Sequence, residues 1–388
     1  MTPDLTNRKR SRTEFLAGGL LGFTAVATVG FLAAVLPADS PLAALTELAY
    51  VSAGLTGGGI TQDASTGEEP SYDEDLSQVD FGIADRLVGL SGTWAIDEAP
   101  EEIEEPADED EEMSSPLPYP TEFNTLGGEI VRKTYSYTET STIVTLSGGG
   151  MLRNSTDVDT DYLLEQAEKD VDFTIDLDSD EPQVLIIHTH TTESYEPYAR
   201  TSYDDTFNSR TTDLSKSVVA VGDEITEALE AAGIGVIHDT ELYDYPQYTG
   251  AYDRSSEAIE AYLEEYPSIK IVIDVHRDAI ESDGVRYAPI CEVDGETAAQ
   301  VMIICGCLNV PDYRYNLRFA AKLQSKLETD YPGFTRPILF TERNYNRELT
   351  HASILIEVGS SANALDEAIY AGKLVGMSLA ELLTSMGE

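Results

Sequence analysis

Four consecutive apolar residues, Val184-Leu185-Ile186-Ile187, run directly into His188-Thr189-His190. An aliphatic run this short and unbroken fits a strand covered on both faces, the kind that parallel sheets bury between layers of helices. A second run, Ile269 to Val275, leads into His276, and a third, Ser353 to Val358, carries Glu357 inside it. Between them, apolar residues return at helical spacing. Val218, Val221, Ile225 and Leu229 predict a helix over Leu214 to Ala232 that Gly233 stops, and others are expected over Ser256 to Glu265, Leu317 to Leu327 and from Leu365 onward. A strand is expected at Gly235 to His238 and a β-rich stretch over Arg286 to Leu308. Strands alternating with helices over short connections predict one α/β domain, residues 181–388, with a largely parallel central sheet flanked by helices. Sheets of this type place ligand chemistry at the carboxyl ends of their strands.

The first half of the chain reads differently. Arg8, Lys9, Arg10 and Arg12 precede an uncharged run of 22 residues, Phe15 to Leu36. As a helix that run reaches about 33 Å, enough for a hydrocarbon core of about 30 Å. The basic flank predicts residues 1–14 as a cytoplasmic tail, 15–36 as a single-pass anchor, and everything beyond as extracytoplasmic. A cleaved signal peptide is the competing reading, but its apolar stretch is normally shorter. Either way the remainder is exported. Residues 37–125 read as an extracytoplasmic linker: 11 of the 16 residues from Asp97 to Glu112 are acidic, and so much like charge with so few apolar groups cannot offset the entropy of ordering. Residues 126–180 read as a small lead-in with short strands and a brief helical turn. The net charge of −47 excludes nucleic acid as a partner.

Three features carry chemistry. Two of the five histidines, His188 and His190, stand at i and i+2 with Glu193 three residues on. In extended geometry both rings would point the same way and converge, which suits a metal or catalytic site. His276 follows a buried strand with Asp274 and Asp278 two positions to either side, and a carboxylate so placed can fix which imidazole nitrogen meets a metal. Glu357 lies within Ile354-Leu355-Ile356-Glu357-Val358-Gly359, where a buried carboxylate demands a cation, an activated water or a raised pKa. Nitrogen and carboxylate donors together suit zinc better than calcium or magnesium. With Glu357 moving protons, the inventory fits amide hydrolysis. Cys291, Cys305 and Cys307 show no C-x-x-C spacing and read as small buried hydrophobes. Neither a Gly-x-Ser-x-Gly elbow nor a nucleotide-binding fingerprint is present.

Pro182 to Tyr195 (PQVLIIHTHTTESY), with Ile273 to Ala279 and Leu355 to Gly359, resembles the stage II sporulation protein P family, anchored cell-wall hydrolases similar to the zinc-dependent N-acetylmuramoyl-L-alanine amidases. The resemblance spans roughly residues 148–388. It implies an amidase-like fold, cleavage of the amide between N-acetylmuramic acid and L-alanine in peptidoglycan, and in that family also of peptide cross-links. A metallo-endopeptidase of cross-links alone, or a wall-binding scaffold that keeps the fold, are the alternatives. It also implies Zn2+ held by His190, His276 and a carboxylate, with Glu357 as catalytic base. Amidases carry the acidic ligand at the start of the first helix, where this chain has Thr212-Asp213-Leu214. Glu193 is therefore the leading candidate and Asp213 the second, while His188 would orient the site or serve as a ligand. Expected partners are the cytoplasmic membrane, a lytic transglycosylase and a multispanning membrane scaffold.

Overall fold

The computed structural model describes residues 117–387. The predicted tail, anchor and the linker as far as residue 116 lie outside the described residues. Among the described residues no helix is long and apolar enough to cross a membrane.

Strands β1 (Ile130–Lys133), β2 (Ile143–Thr145) and β3 (Met151–Ser155) come first, followed by helix α1 (Thr160–Ala167), which Asp159 caps. The buried run forms β4 (Val184–Ile187). Then come α2 (Val219–Ala231), β5 (Val236–His238), α3 (Ala251–Glu265) and β6 (Ile271–Asp278). The β-rich stretch resolves into β7 (Glu281–Ser282), β8 (Val285–Val293), β9 (Glu296–Ala299) and β10 (Val301–Gly306). Helix α4 (Tyr313–Asp330), β11 (Ile338–Thr341), β12 (Ser353–Ser360) and α5 (Leu365–Ser385) complete the chain.

Eight strands form the main sheet in the order β2-β3-β11-β10-β12-β6-β4-β5. All neighbours pair parallel except β2 with β3 and β10 with β12, so the expectation of a largely parallel sheet holds. A smaller sheet joins β1, β8, β7 and β9. The stretch 126–180, set apart in the sequence as a lead-in, contributes β2 and β3 to the edge of the main sheet, and the linker expected to run to residue 125 meets the domain sooner. The Leu117 carbonyl accepts a backbone hydrogen bond from Thr212, and Tyr119, Phe123 and Phe207 pack their rings within 5.5 Å. Those aromatic side chains repay the ordering that charge composition alone argues against.

The pleat sorts side chains into two layers. Ile186, Ile273, Val275, Ile354 and Ile356 pack in one cluster with α2, α4 and α5, through Val221, Ile225, Leu323 and Leu379. Leu185, Ile187 and Val272 pack on the opposite face with Ile259 of α3. By the same alternation Asp274 and His276 fall on the α3 face of β6, beyond the apolar part of the strand. Because β12 runs parallel to β6 with Leu355 beside Asp274 and Glu357 beside His276, Glu357 reaches that same end.

Candidate metal centre

Strand β4 stops at Ile187, and the backbone turns through residues 189–192 before Glu193 pairs with Arg210. That turn separates the two histidines of the motif. His188 does not converge with His190: its Nδ1 lies 3.0 Å from the Val275 carbonyl oxygen and its Nε2 lies 2.8 Å from Nε2 of His238. The carbonyl can only accept, so His188 carries its proton on Nδ1 and accepts at Nε2. Burial, then the neighbouring His238, push its pKa down to about 3. The pair packs on α2 where Gly222 leaves room, since a Cβ there would sit 2.6 Å from His238 and 2.7 Å from His188. Extended geometry ends before Thr189, so the alternation that would bring the two rings together stops short of His190.

His190, Glu193 and His276 do converge. Their potential ligand atoms all lie within 4.8 Å of one another, and all three residues are buried. The rings of His190 and His276 are 5.0 Å apart, His190 Nδ1 is 3.3 Å from Glu193 Oε1, and His276 Nδ1 is 3.5 Å from Glu193 Oε2. Donors around a tetrahedral ion with bonds of about 2.1 Å are spaced by about 3.4 Å. Asp213, the second candidate for the acidic position, is exposed and caps a 3-10 turn through Ser215, outside this group.

Electrostatics favour a cation at this point. Burial works against charge on His276, yet Asp274 and Glu193 hold its pKa well above the usual range. Burial likewise opposes the Glu193 carboxylate, but Arg277 and the two histidines keep it ionised well below the usual range. Two carboxylates facing one imidazole at about 1% exposure favour positive charge between them, which the protonated ring carries, or which a divalent ion would supply with the ring neutral. Both ring nitrogens of His276 are buried and make no hydrogen bond, Nδ1 facing Glu193 and Nε2 facing Asp274. The residues present therefore fit a nitrogen- and oxygen-liganded metal such as zinc.

A buried frame holds these donors. Asp274 Oδ1 lies 2.9 Å from His276 Nε2 and accepts from the Thr189 backbone at 2.9 Å. Its other oxygen accepts from the Thr189 hydroxyl at 2.8 Å and from Arg347 at 3.2 Å. Burial would raise the Asp274 pKa, but His276 and Arg347 hold it low. The Arg277 backbone N–H donates to Glu193 Oε2 at 3.1 Å, fixing that carboxylate from β6. Glu357 stands next to His276 across β6 and β12, at 1% exposure, immediately before a bulge where Gly359 takes a φ of +67°. Burial pushes the Cys291 and Cys305 thiols up to about 12, and neither belongs to the donor group.

Arg347 and the half-buried Tyr248, Tyr252 and Tyr345 are the neighbours that sequence reading missed. Tyr248, just before α3, and Tyr252, in its first turn, stand four residues apart, an aromatic pairing that could have drawn attention there.

The sequence profile of the family "Stage II sporulation protein P (SpoIIP)" matches residues 104–380. Over 200 residues the chain is 28% identical to stage II sporulation protein P of Bacillus subtilis (strain 168). That match covers 48% of each protein, so it spans about half the length of the relative. Among solved structures, the CwlD amidase of Clostridioides difficile, in complex with the GerS lipoprotein, is 13% identical with a TM-score of 0.36, covering 52% of this chain and 99% of that one. The N-acetylmuramoyl-L-alanine amidase of Clostridium difficile 630 is 16% identical with a TM-score of 0.34, covering 53% of this chain and 97% of that one.

Proposed function

Because the chain belongs to the stage II sporulation protein P family, we propose that it hydrolyses cell-wall peptidoglycan with zinc, cutting the amide between N-acetylmuramic acid and L-alanine. The observation that carries this reading is the convergence of His190, Glu193 and His276 beside Glu357 at the end of two parallel strands.

In this reading His190, Glu193 and His276 hold the metal, which when bound supplies Lewis acidity toward a carbonyl and acidifies water. Glu357 takes a proton from the attacking water on its carboxylate and delivers it to the amide nitrogen as the C–N bond breaks. The acyl side leaves as the lactyl carboxylate of the sugar and the other side as the free amine of L-alanine. Asp274 keeps the imidazole of His276 turned toward the metal, and His188 steadies the end of β6 through the Val275 carbonyl. In the same proposal Phe15 to Leu36 anchors the chain in the cytoplasmic membrane and the catalytic domain works outside it. A lytic transglycosylase and a membrane scaffold are the partners it would work beside.

Digestion of purified sacculi by the zinc-loaded chain tests the reading. The expected products are new L-alanine amino termini and lactyl carboxylates. New termini only within the cross-links would assign the activity to an endopeptidase, and no new termini would remove the enzyme altogether.

A further inference from the structure

One wall of the candidate metal centre is aromatic. The Tyr248 ring lies 4.8 Å from that of His190, and Tyr252 lies 5.4 Å from His190 and stacks within 10° of parallel on His276 at 6.4 Å. Tyr345 meets Tyr252 at 5.8 Å. Tyr248 lies just before α3, Tyr252 in the first turn of α3, and Tyr345 in the loop between β11 and β12. All three are half-buried, so they keep a solvent-facing portion beside the donors.

The loop is built to hold Tyr345 there. Tyr345 and Asn346 have φ of +53° and +57°, the left-handed region that residues with a Cβ rarely occupy, least of all a bulky tyrosine. Backbone strain of this sort persists only where the surroundings enforce it, and it gathers at ligand-binding positions. The enforcing contacts are visible. The Asn346 carboxamide donates to the Tyr252 carbonyl at 3.0 Å and to Ser255 at 3.1 Å, and Arg347 reaches Asp274. The same short loop thus ties Tyr345 to α3 and to the frame of the metal donors.

Among the described residues, the cation that lies over these rings is already paired. Arg210 lies over the Tyr248 ring at 4.5 Å, but its guanidinium is paired with buried Asp244 at 2.7 Å. A surface made of aromatic faces suits a ligand that is apolar on its flat side and rich in hydroxyls at its rim. That describes a pyranose, whose axial C–H groups stack on π faces. A stem peptide bearing carboxylates would instead require cations.

Resting on the reading of the chain as a peptidoglycan hydrolase, we propose that Tyr248, Tyr252 and Tyr345 form a saccharide subsite. It receives an N-acetylhexosamine ring of the glycan strand next to the scissile amide.

The test is calorimetric binding of chitotetraose, a peptide-free N-acetylhexosamine oligomer, to the full chain carrying Glu357→Gln. Binding is expected to weaken about tenfold or more with Tyr345→Ala or Tyr248→Ala added and to survive Tyr345→Trp, which keeps an aromatic face. Zinc content, measured alongside, should not change in these variants. Oligosaccharide binding that ignores both alanine substitutions would overturn the subsite. So would sacculus hydrolysis by the parent chain with no measurable chitotetraose binding. Failure of hydrolysis with binding and tyrosine dependence intact would instead fault the catalytic reading and leave the subsite standing.

Discussion

His276 on β6 and Glu357 on β12 are register partners on adjacent parallel strands, on the same face of the sheet and each about 1% exposed. A basic nitrogen and a carboxylate are thus fixed side by side by backbone pairing, not by a flexible loop. Sheet register tolerates no slip of one residue without turning both side chains to the other face. Position is therefore settled before any ligand arrives.

From this arrangement, Glu357→Gln removes the proton carrier while leaving the three donors in place. Turnover of sacculi should fall by about 10²–10⁴-fold with zinc content unchanged. Loss of zinc in this variant, read by metal analysis, would mean that Glu357 is a ligand and not the base.

Asp274 acts on the metal through His276. Asp274→Asn keeps the shape but removes the charge that Thr189 and Arg347 hold against the imidazole. Zinc affinity should drop about 10–100-fold, as expected when a carboxylate behind a ligating histidine is lost. Competition with a chromogenic chelator measures it, and an unchanged affinity would show that His276 is oriented by something else.

Acid should weaken the fold through His188. Its folded pKa of about 3 lies below the ordinary 6.5, so between those values the unfolded chain binds the extra proton. Stability attributable to this group is therefore complete above pH 6.5 and declines by about 1.4 kcal/mol per unit as pH falls toward 3. Urea unfolding at pH 7.5, 6.5 and 5.5 should show a steeper loss for the parent chain than for His188→Gln. Parallel profiles would contradict a neutral, buried His188.

Gly222→Ala tests the packing beneath that histidine pair. Alanine normally favours a helix interior, but here its Cβ meets His188 and His238 at under 3 Å. Thermal unfolding should show a loss of about 1–3 kcal/mol, typical of overpacking. A gain in stability would mean that the pair yields freely.

How much of this was legible in the sequence follows from burial. Runs such as Val184–Ile187 and Ile271–Val275 announce themselves because strands covered on both faces need apolar residues throughout. Short β3 and β11 mix polar with apolar residues or span only a few positions, so no period marks them. At the site, His190, Glu193, His276 and Glu357 were visible as ionisable groups at the ends of apolar runs. Arg347 and Tyr345 were not, because an ordinary-looking loop brings them in through three-dimensional contacts with Asp274 and Tyr252. The direction of His188 was misjudged because nothing in Ile187-His188-Thr189 marks where extension ends.

Metal analysis of the full chain after equilibration with zinc and removal of excess addresses the account at its root. One tightly held zinc per chain is expected, lost on His190→Ala, Glu193→Ala or His276→Ala with the fold retained by circular dichroism. A folded parent chain that holds no zinc, or one whose zinc survives all three substitutions, would contradict it.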